Sequence, residues 1–284
     1  MAEHSAPDVS QYPVTGITRF QFAQGKTPKQ TDLLSIEEPL EIIINPPQKK
    51  PFSLAITMRT PGHDRELAAG FLFAEGIVKN KNDIHDLSPD PDALNPDNNI
   101  TVTLSRELDI DPDRLQRHFF TNSSCGVCGK TSIQALELLH QPALIANTPV
   151  ITAETLRHLP QTLRQQQQQF SATGAVHSAA LFSADGTLLR LREDVGRHNA
   201  VDKLIGSLLL EDQLPLARRS LLLVSGRASF ELVQKALMAD ISILASIGAP
   251  TSLAYQLASR HGMTLAGFLK AESFNIYNSP ERII

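Results

Sequence analysis

The chain holds two cysteines, three positions apart, in Ser124-Cys125-Gly126-Val127-Cys128-Gly129-Lys130. A glycine after each cysteine frees the backbone and leaves both sulfurs uncrowded. A helical pattern begins just beyond, from Thr131 to His140, with Ile133, Leu136 and Leu139 on one face. A helix N-terminus and Lys130 beside the second thiol would lower a thiol pKa and populate the thiolate, the nucleophilic form. The plain alternative is a pair of small buried side chains. A closed zinc site wants four ligands; there is no third cysteine, and neither His177 nor His198 lies at a finger-like spacing. A thioredoxin-like dithiol wants an apolar strand before the pair, which His118 to Ser124 does not supply. A thiolate that attacks and holds a sulfane sulfur fits the pair best.

Two further segments carry chemistry. Glu193-Asp194-Val195-Gly196-Arg197-His198-Asn199 joins a strand to a helix. Dense charge in a turn is ordinarily just solvated. Asn199 as a helix cap would, however, place Arg197 and His198 at a helix N-terminus, which suits an anion, and ligands of open α/β sheets bind at such junctions. Ser225-Gly226-Arg227-Ala228-Ser229 repeats the pattern after Leu221-Leu222-Leu223-Val224 and opens a helix at Ser229. Gly226 admits close backbone approach and Arg227 offers a forked phosphate donor; this is not a P-loop, for which the spacing is wrong. Two basic, glycine-containing strand-to-helix turns suggest a phosphorylated ligand. His177, among small residues, reads as a satisfied core histidine. Lys270 could reach a phosphate, although a solvated lysine is the ordinary case.

The elements that must position these residues are legible in outline. Leu40 to Asn45 and Phe52 to Met58 read as paired strands around Pro46-Pro47, Arg65 to Gly76 as a helix, and Ile100 to Leu104 as a strand. Ser88 to Asn99 is a loop. Thr152 caps a helix carrying Leu156, Leu159 and Leu163, which ends in the glutamine run from Gln165 to Gln169. Thereafter strands (175–182, 188–191, 220–224, 241–247, 265–269) alternate with helices (200–210, 231–239, 252–260), as in βαβ units. The expected fold class is α/β: a mixed sheet with flanking helices, preceded by a smaller α+β unit. The expected division is a flexible polar arm over 1–16, an N-terminal α+β domain over 17–120, and an α/β domain over 121–284 that begins with the cysteine loop.

Bulk properties narrow the function classes. The 284 residues are 42% hydrophobic, enough for a sizeable core. With 26 basic and 30 acidic residues, the net charge of −4 argues against nucleic acid or an anionic membrane as the general partner. No apolar run approaches the roughly 20 residues of a transmembrane helix, and Met1 to Pro13 lacks a signal-peptide pattern. The expected location is the reduced cytoplasm, where a close cysteine pair is more often catalytic or metal-binding than a structural disulfide.

Taken together and in order, EEPLEIIIN, ELAAGFLFAEGIV, CGVCGK, TGAVHSAALF, EDVGRHNAVDKLIG, SGRASFELVQKA, APTSLAYQLA, LAGFLK and NIYNSPERI resemble the formate dehydrogenase accessory sulfurtransferases, the FdhD/NarQ family, from about Glu37 to the C-terminus. The resemblance implies a cytoplasmic, homodimeric sulfur carrier that takes persulfide sulfur from a cysteine desulfurase. It would deliver that sulfur to the molybdenum (or tungsten) bis(molybdopterin guanine dinucleotide) cofactor required by formate dehydrogenase, with GDP as a mimic of that bound substrate and no structural metal. It implies a cytidine-deaminase-like C-terminal domain, a persulfide on Cys125 with Cys128 in support, and a cofactor-binding stretch at Phe268, Leu269, Lys270, Ala271, Glu272 and Ser273. Arg197 and Arg227 would be the further phosphate candidates. Relatives often carry Gly-Arg where this chain has Glu272-Ser273, an anion in place of a cation, and Thr-Gly-Gly where it has Thr173-Gly174-Ala175. Two alternatives are a cofactor chaperone without sulfur transfer and a general thiol-disulfide oxidoreductase. Deaminase chemistry itself is disfavoured, because Ser178-Ala179 follow His177 where a glutamate is required.

Overall fold

The computed structural model describes residues 12–20, 29–91, 93, 95–105, 150–216 and 220–284. Cys125, Cys128 and the helix expected over 131–140 lie outside the described residues.

Strands β1 (Val14–Phe20) and β2 (Lys29–Ser35) form an antiparallel ribbon. A four-stranded sheet follows in the order β4-β3-β6-β5, from β3 (Glu38–Asn45), β4 (Phe52–Arg59), β5 (Ile84–Ser88) and β6 (Asn99–Leu104). Alternation decides its inner face: Leu40, Ile42 and Ile44 of β3 are fully buried beneath helix α1 (Asp64–Ala74).

The remaining chain builds a six-stranded mixed sheet in the order β12-β11-β10-β9-β7-β8. Its strands are β7 (His177–Ser183), β8 (Leu188–Asp194), β9 (Ser220–Val224), β10 (Ile243–Ser246), β11 (Thr264–Gly267) and β12 (Asn275–Asn278). Strands β9, β10 and β11 run parallel, whereas β7 and β12 are antiparallel to the neighbours they flank. Helices α2 (Ala153–Gln166) and α3 (Gln168–Thr173) precede the sheet, while α4 (Arg197–Leu210), α5 (Phe230–Met238) and α6 (Ser252–His261) connect its strands.

Both faces of this sheet are covered, so its central strands are apolar throughout. Leu221 and Leu223 of β9 pack with Leu156, Leu159 and Leu163 of α2. Leu222 and Val224 face the opposite way, into a larger cluster that also holds Leu40, Ile42, Leu67 and Leu204. That cluster belongs to both sheets at once, and its centre is the contact of α1 with α4. A Cβ on Gly70 would stand 1.9 Å from the Asp202 carbonyl oxygen, and one on Gly206 1.8 Å from that of Glu66. The two backbones touch, and only glycine permits it.

Three sequence expectations change. Val14, Thr15 and Gly16 belong to β1, paired with Leu33 to Ser35, and not to a loose arm; both strands of the ribbon are largely exposed and show no strict alternation. Strands β5 and β12 were not anticipated, being short and paired along one side only. Helix α4 begins at Arg197 with Gly196 as its cap, so Asn199 is not the cap. Its side chain instead donates to the Met58 carbonyl (2.8 Å) and accepts from the Thr57 hydroxyl (3.2 Å). Thr152 does cap α2, accepting from the Thr155 amide at 3.0 Å.

A half-buried ion pair ties α1 to β8. Arg192 grips Glu66 through Nε (2.5 Å) and Nη2 (2.7 Å), and His63 lies 3.2 Å away. Burial alone would raise the Glu66 carboxyl, but hydrogen bonds and charge from Arg192 and His63 outweigh it and pull the pKa from 4.5 down to about 2. A depressed carboxylate contributes stability that is complete above the unfolded value and is lost as pH falls through the folded one. Glu66→Gln is therefore expected to cost about 1–2 kcal/mol near neutral pH, after allowance for solvent screening. The difference from wild type should vanish between about pH 4.5 and pH 2 in urea titrations, and a difference that does not narrow with acid would contradict the assignment.

Candidate functional site at the carboxyl ends of the parallel strands

The loops after β9, β10 and β11 lie side by side and are joined by their backbones. Gly248 donates to the Gly226 carbonyl (3.1 Å), Phe268 to that of Gly248 (3.0 Å), and Ala228 to that of Ala249 (3.1 Å). A Cβ on Gly248 would meet the Gly226 carbonyl oxygen at 2.9 Å and Arg227 backbone at 3.0 Å, so close packing of the loops requires glycine there. The Ser246 hydroxyl donates to the Gly248 carbonyl (2.9 Å) from beneath. The result is a backbone shelf at the strand ends, where open α/β sheets bind ligands.

The sequence-selected residues fall on this shelf. Arg227 is exposed on the first loop, and Phe268, Lys270, Ala271, Glu272 and Ser273 are exposed on the third. Leu269 is 1% exposed and packs with Leu163 and Phe182, so only its backbone is available to a ligand. Phe268 is 44% exposed and has φ of 53°, a left-handed conformation that costs an ordinary residue about 1–2 kcal/mol. Arg197, at the start of α4, reaches the same place: a Cβ on Gly226 would lie 3.6 Å from Arg197 Cδ and 3.5 Å from His177 Nδ1. Among the described residues none of Arg197, Arg227 and Lys270 forms a salt bridge, and Arg197 Nε is buried without a hydrogen-bond partner. The shelf thus carries three cations that form no salt bridge among the described residues, an arrangement that favours an anionic ligand.

His198 is differently placed. Its Nε2 lies 2.8 Å from Glu231 and 3.2 Å from the Ser229 hydroxyl, joining α4 to the start of α5. Burial would raise the Glu231 carboxyl, but the His198 hydrogen bond and charge, with Lys235 and Arg197, hold it below its ordinary value. Ser229 occupies the cap position of α5, yet its hydroxyl serves His198 and not the helix amides.

Most of the EDVGRHNAVDK segment holds the shelf in place. Glu193 accepts from the amides of Gln169 and Phe170, at 3.1 and 3.0 Å. Asp194, completely buried, accepts from the Thr60 amide (3.1 Å), the Gly196 amide (2.8 Å) and Asn199 Nδ2 (3.2 Å), and lies 2.7 Å from Lys203 Nζ. Lys203 also donates to the Thr60 carbonyl at 2.7 Å. Asp202 pairs with Lys235 at 2.6 Å, tying α4 to α5. Burial would lower Lys235, but Asp202, Glu75 and Glu231 outweigh it and raise the ammonium pKa. Of this segment's charged groups, Arg197 is the one placed beside Gly226 on the shelf.

Sequence reasoning missed the loop after β10 and the position of His177. The signal for the first was available: Ser246-Ile247-Gly248 ends a strand with a glycine just as Val224-Ser225-Gly226 does. Among the described residues no group of three or more His, Cys, Asp or Glu side chains is arranged to hold a metal ion, and no helix is long and apolar enough to cross a membrane.

Comparison with known proteins gives this geometry a context. A sulfur carrier protein FdhD from Mycolicibacterium paratuberculosis is 46% identical over 263 residues, covering 91% of this chain and 94% of its own. A protein of the same name from Sulfolobus acidocaldarius is 44% identical over 252 residues, covering 89% and 91%. A crystal structure described as a formate dehydrogenase accessory protein, from Desulfotalea psychrophila, matches with a TM-score of 0.72 at 26% identity, over 95% of this chain and 99% of that one. The sequence model of the FdhD/NarQ family matches residues 35–284, and the chain belongs to that family.

Proposed function

We propose that the chain is a sulfur carrier that accepts persulfide sulfur on Cys125 from a cysteine desulfurase. It passes that sulfur to the molybdenum bis(molybdopterin guanine dinucleotide) cofactor required by formate dehydrogenase. The observation that carries this proposal is the shelf at the strand ends, with Arg197 beside Gly226, Arg227 and Lys270 exposed on its loops, and no salt bridge to any of the three among the described residues. The Cys125-Gly126-Val127-Cys128 pair and the names of the relatives support it.

In the loading step the Cys125 thiolate attacks the outer sulfur of the donor persulfide. The donor's S–S bond breaks, its cysteine leaves as a thiolate, and the proton stays on the transferred sulfur as Cys125–S–SH. In delivery, Cys128 attacks the inner sulfur, expels hydrosulfide towards the metal and leaves a disulfide, which a thiol reductant reopens. The chain's part in cofactor binding is to hold the guanine-dinucleotide phosphates with Arg197, Arg227 and Lys270. Phe268, held outward in a strained backbone, offers a face for the guanine. Glu272 on the same loop places an anion beside these contacts. The protein would work as a cytoplasmic homodimer, where thiols stay reduced. The six-stranded sheet supports a cytidine-deaminase-like reading of its fold, with Ser178-Ala179 in place of the glutamate that deamination requires.

Incubation with a cysteine desulfurase and cysteine, followed by mass spectrometry, is expected to add one sulfur atom to the peptide holding Cys125, and none after Cys125→Ser. GDP should still bind the Cys125→Ser variant, while formate dehydrogenase activation is lost. Full activation by that variant would overturn sulfur transfer in favour of a cofactor chaperone.

A further inference from the structure

We propose that His177 is a protonatable ligand-binding residue at the phosphate end of this shelf, taking up a proton as a phosphate settles beside Arg197. This rests on the proposal above that a phosphorylated ligand binds there. His177 opens β7, the strand between β8 and β9. Its ring and the Arg197 side chain flank one point above Gly226, with Nδ1 and Cε1 at 3.5 and 3.7 Å from a Cβ built there and Arg197 Cδ at 3.6 Å. The glycine leaves that point open, and any longer side chain would fill it.

The surrounding charge is unbalanced. Arg197 and His198 face the imidazole from α4, and Asp194 faces it from β8, where the two residues are cross-strand partners. Behind His198 stands Glu231 of α5, engaged with the His198 ring. On the loop after β9 the neighbours Ser225 and Gly226 carry no charge, and Arg227 comes next. Asp194 is already committed to Lys203 and three neutral donors. Burial, then Arg197, then His198 lower the His177 pKa, and Asp194 opposes them only in part. The free protein therefore favours a neutral imidazole beside a guanidinium that forms no salt bridge among the described residues.

A phosphate placed against Arg197 reverses the sign of the local field. The imidazole then gains from becoming imidazolium, and both ring nitrogens become donors. Charge on the ligand and charge on the protein rise together, so the pocket selects phosphate over a neutral nucleoside. By linkage, GDP binding must be accompanied by proton uptake, and affinity must rise as pH falls.

Isothermal titration of the full chain with GDP at pH 7.5, in two buffers of different ionisation enthalpy, counts those protons without any variant. We expect net uptake that His177→Gln abolishes. We also expect affinity to fall roughly five- to tenfold between pH 6.5 and 8 in the wild type, but by less in the variant. A thermal melt of the variant establishes that it is folded. GDP binding without proton uptake, or uptake retained by His177→Gln, overturns the role of His177 and leaves the phosphate site standing. Equal weakening at every pH assigns His177 a merely structural part and also overturns it. Failure of GDP to bind at all overturns the phosphate site and this proposal together.

Discussion

Lys203→Met is expected to destabilise the protein by about 3–5 kcal/mol, the cost of leaving one charge of a buried pair without its partner. Lys203 and Asp194 are 1% and 0% exposed and 2.7 Å apart, so bulk solvent does not reach the pair to take over the lost interaction. Asp194 would keep its three neutral donors, which offset only part of the loss. The Thr60 carbonyl would lose its 2.7 Å donor as well. Adding Asp194→Asn should recover some stability, because it removes the isolated charge while keeping an acceptor for the amides. Urea unfolding at pH 7 measures both variants; a loss below about 1 kcal/mol for Lys203→Met would show that the pair contributes little.

Gly206→Ala should be almost as damaging, for a steric reason. In a helix interior alanine is ordinarily favoured over glycine by about 0.5–1 kcal/mol. Here the added methyl would stand 1.8 Å from the Glu66 carbonyl oxygen and 2.7 Å from the Gly70 amide nitrogen. Both obstacles are backbone, so no rotamer change relieves the overlap. Helices α1 and α4 must separate, which loosens the apolar cluster containing Leu67, Ala68 and Leu204. A loss of more than about 3 kcal/mol is expected, at the upper end for overpacked cores. Gly16→Ala is the control: nothing lies within 4 Å of its Cβ position, so its unfolding midpoint should stay close to wild type. A Gly206→Ala protein as stable as that control would mean that the helices do not meet as described.

The contrast between legible and hidden elements has physical causes. β3 could be read because burial on one face stamps an alternation on Leu40, Ile42 and Ile44. Helix α2 could be read because Thr152 and three leucines at helical spacing act locally. β9 was expected over 220–224 and is found there, since a strand covered on both faces is an unbroken apolar run. The ribbon β1–β2 left no such trace, because little of it is buried and Lys29-Gln30-Thr31-Asp32 obeys no apolar pattern.

At the candidate site, Arg197 and Arg227 stood out from their strand-to-helix turns, a local signal. The meaning of His177 was not local. It depends on Gly226, far along the chain, leaving a gap beside the imidazole. Asn199 was misread for a similar reason: its partners Thr57 and Met58 lie in the other sheet. Glu193, Asp194 and Lys203 look in sequence like part of a charged, ligand-facing turn. Only burial shows that their charges are spent inside the protein.

The buried carboxylate of Asp194 has a further consequence for how this protein can be divided or recombined. The turn that presents Arg197 is fastened to Thr60, a residue of the opposite half. A chimera that exchanges the four-stranded sheet must therefore import a matching Thr60 turn, or the turn that carries Arg197 loses its anchorage. The shelf and the four-stranded sheet share one apolar cluster, so the candidate site of this chain is not a detachable module.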